Sequence, residues 1–171
     1  MPLEPDQALA MLQMTLPTLE REQQTTVTIM QAVPADKADY KPDPNAMSAF
    51  DLCWHIAASE DRFLGGVAAG AFDFSTKERV KTLPEVLAWY QETFAKNLAA
   101  IKTMTGEQLV KIIDFRGMFQ MPAIAYLTFS SHHSIHHRGQ LSVYLRPMGA
   151  KVPAIYGESF DSKAARMAAQ V

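Results

Sequence analysis

The chain has 171 residues, of which 48% are hydrophobic and 20% charged, and its net charge at pH 7 is −2. This length predicts a single domain over residues 1–171, with a core large enough that no disulfide or similar cross-link is needed for stability. The near balance of acidic and basic residues provides no basic stripe for a phosphate backbone, which argues against nucleic acid as a partner.

The N-terminal segment MPLEPDQALAMLQM places acids and prolines where a signal peptide has basic residues and an unbroken apolar run. No stretch of the chain approaches the ~18 consecutive apolar residues of a membrane span. The one cysteine, Cys53, cannot form an internal disulfide, as is usual in a reducing compartment. We therefore expect a cytoplasmic protein without a membrane partner.

Apolar residues recur at three- and four-residue steps or their sums from Leu12 to Met30, which predicts a first helix over about residues 6–33. Pro17 lacks a donor N–H and should kink this helix or divide it. The proline- and aspartate-rich stretch ADKADYKPDPN predicts the loop that follows.

Two capping boxes predict where the next two helices begin. The sequence SAFD opens the second helix at Ser48, and this helix should reach about Gly70. The sequence TLPE opens the third helix at Thr82, with proline in the first turn where it is tolerated, and this helix should end near Thr103.

The stretch LVKIIDFRGMFQMP does not sustain a helical period, and we expect it to form a long, partly extended connection. A fourth helix should run from about Met121 to Pro147, with Gly149 placed to end it, before a packed loop and a short terminal helix. The pattern predicts an all-α fold, namely a four-helix bundle with one long crossover connection.

Four of the five histidines lie within six positions of the fourth predicted helix. At about 100° per residue, His133 and His137 lie about 40° apart within an apolar and aromatic stripe, so both should face the bundle interior. His132 and His136 fall at the edge of this stripe, and we expect them to be partly exposed.

An inward i, i+4 histidine pair can give two imidazole nitrogens to one metal ion. Buried imidazoles are costly unless their nitrogens are satisfied, and a metal satisfies them directly. Core histidines held by hydrogen bonds alone are the competing interpretation, and the spacing does not decide between the two. His55 on the second helix can add a third nitrogen and leave one coordination position open, as in catalytic zinc sites.

The fourth helix also has a second apolar side, which we expect another helix or a partner subunit to cover: Ile124, Leu127, Ile135 and Leu145. Arg138 lies on this side as well. A charged head in that position should need an end of the bundle to reach water.

Three segments together resemble the DinB/YfiT-like family: DLCWHIAASEDRF, HSIHHRGQLSVYL and VPAIYGESFD. The resemblance covers essentially the whole chain, and HHRGQ with the upstream histidine is its most specific part. It implies a four-helix bundle with a long crossover that forms a homodimer. It also implies one divalent metal bound by His55, His133 and His137, the same set that the helical phases favour.

The resemblance extends to thiol-dependent S-transferases and isomerases, so the implied function is an S-transferase that takes a small-molecule thiol and an electrophile. A metal-dependent hydrolase is the first alternative, because a metal-bound water suits the same ligands. A non-enzymatic metal-binding or interaction protein is the second. An electrophile scan with several low-molecular-weight thiols would discriminate between them.

The cofactor we expect is a divalent metal cation, zinc or nickel ahead of iron or manganese, although imidazole ligands do not themselves select one metal. No catalytic residue of the chain is identified beyond the metal site. Gln140, Tyr126 and Tyr144 are candidates for orienting the substrate or the second nitrogen of a histidine ligand.

Overall fold

The computed structural model describes residues 2–170, and most of these lie in helices. The four long helices are α1 (Pro5–Gln31), α2 (Ala49–Ala69), α3 (Leu83–Ile101) and α5 (Ala123–Leu145). The predicted all-α four-helix bundle is confirmed. Within residues 2–170, no helix is both long and apolar enough to cross a membrane.

Both predicted capping boxes are present. The Ser48 hydroxyl accepts a hydrogen bond from the Asp51 amide at 3.0 Å, and Thr82 caps α3 in the same way through Glu85. These side chains satisfy backbone N–H groups that have no partner within the helix. Helix α2 ends at Gly70, whose φ of +69° favours glycine. Helix α1 runs through Pro17 without a break.

The predicted connection between the third and fourth long helices contains a short helix, α4 (Gly106–Val110), and an antiparallel hairpin of β1 (Ile112–Phe115) and β2 (Phe119–Pro122). The hairpin is tied to α5 because the Tyr126 hydroxyl donates to the carbonyl oxygens of Ile113 and Phe119, at 2.9 and 3.1 Å. A last helix, α6 (Phe160–Ala168), follows the loop after α5. The partly extended connection is therefore an ordered hairpin.

The fourth long helix is slightly shorter than predicted, because Met121 and Pro122 pair with β1 before α5 begins. The expectation that the charged head of Arg138 reaches water at an end of the bundle is wrong. Arg138 is only 1% exposed, and its guanidinium donates to Glu22 of α1. An ion pair inside the bundle, rather than water, satisfies this charge.

A band of buried polar side chains separates two apolar halves of the core. Along α5, the buried residues of one apolar cluster end at Leu127, and those of the other begin at Leu141. Between them the helix buries Ser130, Ser134 and Arg138. Glu60 of α2 is buried in the same polar band. The two inward histidines of α5 lie in the same stretch of the helix.

The second apolar side of α5 is covered within the subunit. Ile124, Leu127 and Leu145 are at most 2% exposed, and Ile135 is half-buried. Helix α1 packs against α5. These residues therefore do not offer a surface for dimerisation, which stays a prediction from the family resemblance.

Candidate metal centre

Three histidine side chains from two helices converge at one point. Nε2 of His55, on α2, lies 3.1 Å from Nε2 of His133 and 3.1 Å from Nε2 of His137, both on α5. We call these residues the histidine trio. The ligand atoms of the trio all lie within 4.8 Å of one another, and no other such cluster of His, Cys, Asp or Glu occurs among residues 2–170.

The spacing of these nitrogens fits a metal ion. A tetrahedral ion with bonds of about 2.0–2.1 Å holds its nitrogen ligands about 3.3 Å apart. Hydrogen bonds among the three rings satisfy these nitrogens less well. An N–H at Nε2 of His55 can point at only one of its two neighbours, and the other nitrogen is left without a partner. One cation would accept all three lone pairs at once.

The outer nitrogen of His137 is held by Gln140. His137 Nδ1 lies 3.2 Å from Gln140 Oε1, and the Gln140 amide donates to the Tyr144 hydroxyl at 3.1 Å. An amide oxygen can only accept, so Nδ1 of His137 carries the proton and its Nε2 presents a lone pair to the trio. His133 Nδ1 is buried and has no hydrogen-bond partner within the described residues.

The trio is held in its neutral form. Burial lowers the pKa of His133 to about 4, and the neighbouring histidines add to this effect. Burial is also the largest cause of the lowered pKa of His55 and of His137. Neutral imidazoles have the free lone pairs that metal binding requires, so little proton release is needed at neutral pH.

The remaining candidate residues lie outside this point of convergence. His132 and His136 are exposed, as their helical phase predicted. Tyr126 directs its hydroxyl to the hairpin carbonyls. Tyr144 reaches the trio only through Gln140. Of the three candidates for orienting a ligand, Gln140 is therefore the one that contacts the trio.

Glu60 links the two helices that supply the trio. Its carboxylate accepts hydrogen bonds from Ser134 of α5 at 2.6 Å and from Tyr90 of α3 at 3.0 Å. Burial raises the pKa of the Glu60 carboxyl to about 7. The sequence did not single out this residue, because a lone glutamate one step from an aspartate is typical of a solvated helix face.

A cavity of about 290 Å³ lies beside the trio and is lined by His55 and His133. Its other lining residues are Ser59, Arg62, Phe63, Phe115 and Phe129. Helical phase places Ser59 on the face of His55, whereas Arg62 and Phe115 were missed. Arg62 lies seven residues after His55, which is a helical repeat that could have identified it. Phe115 comes from the hairpin, whose pairing the sequence did not predict.

Comparison with known proteins gives a consistent set of relatives. The DinB family model matches residues 10–168 of the chain. The chain is 36% identical over 129 residues to YjoA of Bacillus subtilis (strain 168), covering 72% of this chain and 82% of YjoA.

Solved structures have the same fold. The crystal structure of the DinB-like protein YjoA from Bacillus subtilis superposes with a TM-score of 0.71 at 27% identity, over 85% of this chain and 99% of that one. A DinB-like protein from Bacillus cereus ATCC 10987 superposes with a TM-score of 0.69 at 20% identity, over 91% of this chain and all of that one (100%).

Proposed function

Since the chain belongs to the DinB family, we propose that it binds one divalent metal ion through His55, His133 and His137 and acts as a thiol-dependent S-transferase. The observation that carries the proposal is the convergence of three Nε2 atoms, with His55 3.1 Å from each of the other two. The substrates are a low-molecular-weight thiol, which gives up its proton, and an electrophile, which forms a bond to the thiolate sulfur and releases a leaving group.

The chain's own residues leave room for a substrate at the trio. Three histidines leave at least one position of a tetrahedral ion unfilled. His55 and His133 line the adjacent cavity, so an incoming group can approach from that side. A bound divalent ion would supply Lewis acidity that lowers the pKa of a coordinating thiol.

The reacting sulfur has to come from outside the chain. Cys53, the single cysteine, is 0% exposed, and burial raises the pKa of its thiol to about 12. A thiol that stays protonated at neutral pH is a poor nucleophile. An S-transferase reaction at this site therefore requires a thiol cosubstrate.

Cobalt-substituted protein should develop a sulfur-to-cobalt charge-transfer absorption when a small thiol such as bacillithiol or N-acetylcysteine is added. The apparent pKa of the thiol, followed by the pH dependence of this absorption, should fall below the ~8.5 of a free thiol. N-acetylserine is the matched control, because it has a hydroxyl in place of the thiol and should give no such absorption.

The outcomes of this titration separate the candidate functions. If several thiols leave the spectrum unchanged while cobalt stays bound, the S-transferase proposal is wrong. A spectrum that then still responds to anions such as cyanide would indicate an exchangeable water, and a metal-dependent hydrolase would become the better explanation. A spectrum that responds to neither would indicate a closed, structural site.

Gln140→Leu should weaken metal affinity about 10- to 100-fold without unfolding the bundle. The substitution removes the acceptor that fixes the tautomer and orientation of His137. Loss of a residue that hydrogen-bonds a metal-ligating histidine typically weakens metal affinity by this factor. Competition with a chromophoric chelator measures the change. Gln91→Leu, at an exposed position of α3, is the control and should bind metal as the wild type does. Equal affinities in the two variants would show that Gln140 does not support the site.

A further inference from the structure

Arg62 brings a positive charge to the wall of the cavity beside the histidine trio. Its side chain is half-buried, and its Nε donates to the backbone carbonyl of Asp73 at 3.3 Å. Among residues 2–170, no carboxylate forms an ion pair with it at 4.0 Å or less. The Asp73 carbonyl thus orients the guanidinium, and the terminal nitrogens stay available to a ligand.

The acidic groups near Arg62 are already engaged with other partners. The Asp73 carboxylate accepts hydrogen bonds from the backbone amide and the hydroxyl of Ser75, both at 2.8 Å. Asp61 pairs with Lys77 and accepts a hydrogen bond from Asn97 at 2.9 Å. Arg62 is therefore the one cation that lines this cavity, and no acid within the described chain neutralises it through a direct contact.

Aromatic rings form the rest of the wall and continue to the trio. The ring of Phe63 stacks on that of Phe115, with centroids 5.4 Å apart, and contacts Phe129 at 5.2 Å. The ring of His133 lies edge-on to Phe63 at 5.8 Å. Such a wall favours flat apolar groups, because stacked and edge-to-face rings gain contact energy beyond area burial alone.

The cavity also provides a neutral hydroxyl. Ser59 lines it one helical turn before Phe63 and one turn after His55. The cavity thus combines an apolar wall, a cation with free donors, a hydroxyl and the nitrogens of the trio. Most ligand sites have this composition, in which a few polar groups orient a ligand that an apolar lining binds.

We propose that this cavity binds a small amphiphilic acid, with a flat apolar body against Phe63, Phe115 and Phe129 and a carboxylate on Arg62, assisted by Ser59. The volume of about 290 Å³ is at the lower end of ligand pockets, and it suits one aromatic ring with a short acid chain. The inference rests on the proposed function, because it assigns this chemistry to the electrophile that reacts beside the trio.

The test is a calorimetric titration of 3-phenylpropionate and its neutral amide into zinc-loaded and metal-free protein. The acid should bind in both forms, and Arg62→Gln should weaken its binding about 10- to 100-fold, because a hydrogen bond to a charged group is lost. Binding of the amide should change little. Arg21→Gln removes an exposed arginine from α1 and is the control for loss of charge alone.

Phe115→Leu should weaken binding of the acid and of the amide alike, because the apolar wall contacts the part that they share. A carboxylate of the thiol cosubstrate would offer Arg62 the same chemistry, so 3-mercaptopropionate is titrated in parallel. If only 3-mercaptopropionate depends on Arg62, the anion belongs to the thiol and the proposed apolar acid is wrong.

The same titrations distinguish failure of this inference from failure of the proposed function. Arg62→Gln should retain its zinc, as measured by elemental analysis. If the acid binds only to zinc-loaded protein and is unaffected by Arg62→Gln, its carboxylate is a metal ligand. That result overturns the role of Arg62 and leaves the metal site intact.

Discussion

Alanine in place of His133 or His137 should leave the purified protein without bound metal, whereas His132→Ala should retain about one divalent ion per chain. Each of the first two substitutions removes one of three nitrogens that lie within 4.8 Å of one another. Protein zinc sites keep at least three protein ligands, so the two that remain should not hold the ion through purification. Elemental analysis of the purified variants measures the result.

His55→Ala should weaken metal binding severely for the same reason, even though this histidine lies on a different helix. Circular dichroism provides the necessary control, because a variant that has lost its helices would lose metal for a trivial reason. A folded His137→Ala protein with a full complement of metal would refute the assigned ligand set. Loss of metal from the His132 variant would refute the assigned helix face.

The pairing of His133 with His137 could be predicted because helical geometry alone relates them, whereas His55 lies on another helix and was assigned to the same site with the support of the family resemblance. His133 and His137 are one turn apart, so any helix through this segment places them on one face. Whether that face was inward depended on the neighbouring aromatic residues, and the structure buries Tyr126 and Tyr144 as expected. The capping boxes at Ser48 and Thr82 were equally local, since the partners lie three residues apart.

The features that could not be predicted depend on contacts between distant segments. Helix α5 buries apolar residues on several sides, so its sequence has no single apolar face and the surroundings of Arg138 were ambiguous. The acceptor of Arg138, Glu22, lies more than a hundred residues earlier on α1. The hairpin brings Phe115 to the cavity through pairing with β2, and its four-residue strands are too short for a clear alternating pattern.

Arg138 holds α1 and the C-terminal loop against α5. Besides the Glu22 carboxylate, its guanidinium donates to the Glu22 carbonyl at 2.9 Å, to the Thr26 hydroxyl at 3.2 Å and to the Tyr156 hydroxyl. Tyr156 in turn donates to the Glu22 carboxylate at 2.7 Å. Removing the cation would take the guanidinium from all these acceptors and would leave the Glu22 carboxylate with the Tyr156 hydroxyl but no counter-charge.

Arg138→Met should lower the free energy of unfolding by about 3 kcal/mol. Removing one partner of a buried ion pair typically costs about 3–5 kcal/mol. The lower value applies here because the Glu22 side chain is 15% exposed, so water can reach its carboxylate. Methionine preserves most of the apolar stem, so the loss reports on the charge rather than on a cavity. Urea or guanidinium denaturation followed by circular dichroism measures it, and His132→Ala provides a baseline for a surface substitution.

Arg146→Met is the matched control, because Arg146 directly follows α5 and also pairs with a carboxylate, that of Asp161, at 3.0 Å. Its side chain is 53% exposed, so the substitution should cost no more than about 1 kcal/mol. The double variant Arg138→Met/Glu22→Leu should be more stable than Arg138→Met, because it also removes the carboxylate that was left without its partner. Similar losses for Arg138→Met and Arg146→Met, with no recovery in the double variant, would mean that the buried pair does not hold α1 to α5.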